Sequence, residues 1–277
     1  TMLDLCVSRK NKINLSDYDY QTDINNRLLM STFTVQDVEV LEEILFGSIR
    51  IPLVKLKKNL DLEDEELLAI LHKLSKTGLF IIDQDSIVVD KEMRKYYDYQ
   101  VVKFDDDFKP NMSYLQGLLR KVPIHVLPIW YSIPRSSNNI FASMIERYFC
   151  TPQVYERYLL DINLSEPIMA GIINDVFNAP QYLLYSDEIR EKYQLSSEDF
   201  EEYMLHLEFN FVCCLSYRQK EDQWVEVITP FYEWTQYLQF KKEHQPSDLT
   251  PQATHLNQEK SNFTFVEQMT KLIEEII

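Results

Sequence analysis

Chemistry in a protein requires reactive side chains at short range, and in this sequence the histidines, cysteines and acid clusters are the groups that could supply it. The five histidines, His72, His125, His206, His244 and His255, are scattered along the chain. None falls in an H-E-x-x-H or a paired Cys/His spacing, the patterns that gather zinc ligands on one face. The four cysteines, Cys6, Cys150, Cys213 and Cys214, form no C-x-x-C pair. This usage predicts reduced thiols and a cytoplasmic protein. Asp17, Asp19 and Asp23 mimic the start of an EF-hand loop. Thr22 and Leu28 then stand where that loop needs its Gly and its bidentate Glu, so calcium is excluded there. Asp105, Asp106 and Asp107 read as a solvated turn. The glycines are Gly47, Gly78, Gly117 and Gly171, no two close together. Walker-A and G-x-G-x-x-G loops need clustered glycines to bring backbone N–H groups onto phosphate, and both are excluded. The G-x-S-x-G nucleophile elbow is absent. With 44 acidic residues, accidental carboxylate pairs are expected and none marks an acid–base site. The expectation is a protein without catalytic, cofactor-binding or metal-binding residues.

Any such residues must be positioned by the surrounding elements. The 277 residues suffice for one large or two small domains, and 45% hydrophobic content allows a real core. The net charge of −16 repels nucleic acid and anionic membranes at long range. The start, Thr1-Met2-Leu3-Asp4, shows no apolar run of a secretory signal. The longest uncharged stretch, Val122 to Pro134, is broken by three prolines and too short to span a bilayer. No membrane partner is expected.

Residues 1–33 read as an N-terminal arm with one short helix. Over 34–104, Val38, Leu41, Ile44 and Leu45 recur at helical spacing and Gly47 stops the helix. Pro52 opens a second helix. The acids from Asp61 to Glu66 precede a third, whose stripe is Leu67, Leu68, Ile70, Leu71 and Leu74. Leu79–Asp83 and Ser86–Asp90 flank Gln84-Asp85 as a β-hairpin. A Tyr-rich helix, Lys91 to Gln100, follows. The same order recurs over 166–242. Ile168, Met169, Ile172, Ile173, Val176 and Phe177 mark its first helix, and Asp187 to Tyr193 its second. A third is capped by Ser196 or Ser197. Strands over Phe211–Tyr217 and Trp224–Thr229 enclose a wing at Arg218–Gln223, and an aromatic helix, Pro230 to Phe240, closes the unit. Residues 105–165 form a helical connector, and 243–277 a linker with a C-terminal amphipathic helix. The fold class is mainly α with small β-hairpins, an α+β chain.

Three helices, a hairpin and a further helix, twice over, resemble the winged-helix form of helix-turn-helix. The resemblance implies tandem winged-helix domains and raises DNA binding, since in that family the third helix enters the major groove. Here those helices begin with Asp61, Glu63, Asp64, Glu65 and Glu66, and with Glu198, Asp199, Glu201 and Glu202. Such acids oppose phosphate rather than releasing counterions. Acidic tandem winged helices resemble scaffolds of chromosome-organising and transcription machinery, which hold partner helices or strands. The expectation is a non-catalytic module for protein–protein interaction or regulation within nucleic-acid machinery, with an unidentified protein partner. The alternative is a DNA-binding transcriptional regulator. It would use Lys55, Lys57 and Lys58 of the second helix with Arg218 and Lys220 of the second wing. Phe265, Met269, Leu272 and Ile276 form an a/d-type stripe. That stripe is expected to dock in cis or to mediate self-association.

Overall fold

The computed structural model describes residues 12–136, 139–148, 153–154, 156–158 and 166–244. Helix α1 (Tyr20–Met30) starts at Asp19, whose carboxylate accepts from the Thr22 N–H. Helix α2 (Val35–Phe46) starts at Thr34, which closes a reciprocal capping box with Asp37. Strand β1 (Arg50–Pro52) leads into α3 (Leu53–Leu60), and α4 (Asp64–Ser75) follows within four residues. Glu63 and Glu66 cap α4 reciprocally, so part of the acid run is spent on orphan N–H groups. Gly78, at φ +69°, makes the turn to β2 (Phe80–Asp83). Strand β3 (Ser86–Val89) pairs back across Gln84-Asp85, and Asp90 caps α5 (Lys91–Val101).

The connector carries α6 (Met112–Leu119), α7 (Leu127–Trp130) and α8 (Ile140–Tyr148). Helix α7 falls inside the proline-punctuated run. The second unit has its elements in the same order: α9 (Pro167–Asn178), β4 (Leu184–Tyr185), α10 (Ser186–Tyr193), α11 (Ser197–Phe209), β5 (Cys213–Lys220), β6 (Gln223–Pro230) and α12 (Tyr232–Glu243).

The chain is thus mixed α+β, with two small antiparallel three-stranded sheets ordered β1-β3-β2 and β4-β6-β5. The short strands β1 and β4 were not expected from the sequence. Matching rows cross the sheets: Ile51, Ile87 and Ile82 in one, Leu184, Ile228 and Leu215 in the other. The second helix of each unit ends on a left-handed residue, Asp61 at φ 53° and Gln194 at φ 53°. The second hairpin corrects the expected loop at Arg218–Gln223. Strand β5 continues to Lys220, and a tight turn with Glu221 at φ 56° reverses the chain.

Two apolar cores form. One fills the first unit, and the larger one fills the second unit together with the connector. Helix α1 feeds both, through Met30 to the first and Ile24 to the second. The second hairpin also crosses over. Tyr217 packs in the first core and stacks on Phe104 at 4.1 Å, nearly parallel, while Trp224 meets the same ring edge-on. The Tyr217 N–H donates to the Lys103 carbonyl at 3.0 Å, and Val35 N–H to Asp222 O at 3.1 Å. The apolar tail stripe, Phe265 to Ile276, lies outside the described residues.

Candidate functional site

Helix α11 is the centre of the molecule because apolar residues surround it. Phe200, Met204, Leu205, Leu207 and Phe209 are buried, and so are Glu201 and Glu208. Those two acids are seven residues apart, two helical turns, and therefore share a face. A carboxylate on such a face must be paired or neutralised. Helix α1 supplies the partner, Arg27, itself only 2% exposed. Its Nε donates to Glu201 Oε2 at 2.6 Å and its Nη1 to Glu208 Oε2 at 2.6 Å. Glu208 Oε1 accepts from the Leu215 N–H at 3.1 Å and lies 3.7 Å from Lys103 Nζ. Burial pushes the Glu208 carboxyl upward, but Arg27 and Lys103 outweigh it and hold the group at about 2.

One turn earlier on α1, Asp23 gathers three donors. They are Lys121 at 2.6 Å, Tyr96 OH at 2.7 Å and Tyr18 OH at 2.9 Å. Burial raises Asp23, while Lys121 and Arg27 prevail and lower it. Residues from the arm, the first unit, the connector and the second unit therefore meet in one buried polar network. Its members satisfy one another, which is the condition for such a network to specify a unique packing.

Beside this network, Glu226 on β6 faces Glu201 and Ser186. Burial, then the Glu201 charge, push Glu226 up to about 8, so it holds a proton at neutral pH. The pair sits at the floor of a cleft of about 270 Å³, whose walls include Ser31, Arg190, Phe200 and Trp224. Arg190 is already engaged with Asp187 and with Ser197 Oγ at 2.7 Å. Ser186 is hydrogen-bonded to Glu226, and Ser31 and Ser197 also line the cleft. A second cleft, about 500 Å³, opens between α5 and α6 and is lined by Tyr96, Tyr99, Gln100, Arg120 and Lys121. Tyr99 stacks under the Arg120 guanidinium at 5.1 Å. Burial raises the Cys213 and Cys214 thiols, the reverse of nucleophile activation. Among the described residues no group of three His, Cys, Asp or Glu is placed to hold a metal ion. No described helix is long and apolar enough to cross a membrane.

The residues singled out from the sequence separate into distinct places. Glu63, Asp64, Glu65 and Glu66 are exposed at the start of α4. At the start of α11, Glu198, Asp199 and Glu202 are exposed, but Glu201 is the buried partner of Arg27. Lys55 and Lys58 are exposed on α3, and Lys57 pairs with Asp64 at 2.9 Å. Arg218 is turned inward onto the connector, where its Nη2 donates to Phe108 O at 3.2 Å and its Nη1 to Asp105 O at 3.4 Å. The Gln219 N–H donates to Asp106 Oδ1 at 2.7 Å, so the acidic turn holds this hairpin. Lys220 is exposed near its tip. The two lysine-bearing elements therefore do not form one basic stripe with Arg218. The aromatic helices serve the interior, with Tyr97, Phe231 and Trp234 all at 0% exposure. Sequence reasoning missed Arg27 and Glu208, and weighed Asp23 only as a calcium ligand. The available signal was Glu208 itself, the one acid in the mostly apolar stretch from Leu205 to Leu215.

No family model matches the chain, and neither the curated proteins nor the solved structures searched give a match.

Proposed function

We propose that the chain is a non-catalytic interaction module built of two winged helices, and that it binds protein rather than reading DNA. The observation carrying this is that α11 buries one face against α1 and opens only an acidic first turn, Glu198, Asp199 and Glu202, to solvent. In a winged helix the third helix is the element that enters the major groove. In the second unit that helix lies behind α1, and its buried Glu201 and Glu208 are committed to Arg27. In the first unit α4 is open, but its leading turn carries four exposed acids. Each acid repels phosphate, against a background charge of −16.

The exposed apolar surface supports the same reading. Among the described residues, seven of the eleven exposed large apolar side chains lie between Phe46 and Val102. Only one, Tyr185, lies in the second unit. Clustered exposed apolar groups mark interaction faces. The first unit is therefore the partner-facing half, and the second is the anchor that α1 and the connector lock in place. A place within nucleic-acid machinery rests on the fold resemblance alone.

The test is a fluorescence-anisotropy titration of labelled duplex DNA at two salt concentrations. The expected result is no saturable binding at physiological salt. Tight, salt-sensitive binding that is lost in a Lys55→Glu, Lys57→Glu, Lys58→Glu variant would establish the DNA-binding alternative instead.

A further inference from the structure

The α2–α3 corner brings exposed apolar side chains and exposed lysines together. Phe46, Ile49 and Val54 are 74%, 38% and 77% exposed. Asn59 donates to Glu43 at 2.5 Å and ties α3 to α2 one turn before Phe46. Beside Val54, Lys55 and Lys58 are exposed and take no ion pair among the described residues, while Lys57 has Asp64. In a chain with 44 acids, cations left without partners beside open apolar side chains mark an acidic, apolar occupant.

The C-terminal sequence has that chemistry. Over residues 263–277 the stripe Phe265, Met269, Leu272 and Ile276 is accompanied by Glu267, Glu274 and Glu275 against a single Lys271. The described chain ends at His244 on α12. About 19 residues separate it from the stripe and can span about 63 Å when extended. A globule of this length has a radius of gyration of about 19 Å, hence a diameter of about 48 Å. A path of about 63 Å over a surface of about 24 Å radius reaches all but the region opposite its anchor. Tethering also favours the segment's own body over a second copy.

We propose that the segment Phe263–Ile277 docks in cis on the α2–α3 corner, laying its apolar stripe over Phe46, Ile49 and Val54 and its glutamates against Lys55 and Lys58. Docking there covers the most exposed apolar part of the first unit and the α3 lysines together. It is a self-masking contact, which a partner would have to displace. The inference goes beyond the functional reading above and stands whether the partner is protein or DNA.

The experiment is zero-length carbodiimide cross-linking of the full chain, mapped by mass spectrometry, with 15N-labelled and unlabelled copies mixed. Intrachain links from Lys55 or Lys58 to Glu267, Glu274 or Glu275 are expected. Their yield should fall about tenfold or more in Leu272→Asp and in Val54→Asp, the change that about 1.4 kcal/mol of lost docking produces. Val54 is exposed and Leu272 lies beyond the described residues, so a melting curve of each variant, unchanged from the parent outside the docked segment, accompanies the cross-linking. Mixed-isotope links would assign the stripe to a second copy and overturn the proposal. So would links from those glutamates only to other lysines, no links at all, or yields that neither substitution lowers.

Discussion

Replacing Arg27 by Met removes the guanidinium while keeping most of the apolar stem. Glu201 and Glu208, 1% and 0% exposed, would then lose their shared cation. Breaking a buried ion pair from one side costs about 3–5 kcal/mol, because the remaining charge stays buried without compensation. A second route gives a similar magnitude. The Glu208 carboxyl ordinarily titrates near 4.5 and is held at about 2 in the fold, largely by Arg27 and Lys103 against the cost of burial. That difference corresponds to about 3 kcal/mol at neutral pH. The sign follows from the lowered value: the contribution is present above 4.5 and is lost as pH falls through about 2. Domains of this kind carry about 5–15 kcal/mol in total, so Arg27→Met should remove about a fifth or more of the stability. Guanidinium denaturation followed by tryptophan fluorescence reads the change, since Trp130 and Trp234 are both fully buried. Adding Glu208→Gln to Arg27→Met should recover part of the loss, because the orphaned charge disappears. A loss below about 1 kcal/mol, or a double variant no better than Arg27→Met alone, would refute the reasoning, since surface pairs are worth that little.

Three further outcomes are expected. Glu226 is pushed up to about 8, so the folded state holds a proton that the unfolded chain releases near 4.5. Stability from this group is present below 4.5 and is lost as pH rises through about 8. Melting temperatures from pH 5 to 9 should therefore decline in the parent and flatten in Glu226→Gln, and parallel curves would contradict this. Gly117→Ala drives a Cβ against the edge of the Tyr99 ring, a clash that overpacking data put at about 1–3 kcal/mol, read as a lowered midpoint in the same denaturation assay. Arg218→Ala should cost about 1 kcal/mol of stability through its lost carbonyl contacts, while leaving DNA titrations unchanged.

Much of the fold was legible because its signals are local. Thr34 with Asp37, the acids before Leu67 and Ser196 with Asp199 announce helix starts through groups three residues apart. The Gln84-Asp85 turn lies between two β-branched runs, and the repeated element order emerges from such signals alone. What escaped was either too short or too distant. Strands β1 and β4 hold three and two residues, below any period-two pattern. The wing at Arg218–Gln223 read as a loop because its residues are polar, yet strand pairing continues through Lys220 and Gln223. Arg27 lies 174 and 181 positions from its carboxylates, and no local pattern links them. Glu201 read as one more first-turn acid because the sequence does not reveal that α1 covers that face.

The face of α11 that carries Glu201 and Glu208 is locked against α1 by Arg27. Residue-resolved amide hydrogen exchange tests that lock directly. The account predicts that amides over Phe200–Phe209 exchange only through global unfolding, more slowly than those on the open face of α4 around Leu68 and Ala69. Exchange of Phe200–Phe209 through a smaller opening that frees α1 while the first unit stays protected would contradict it.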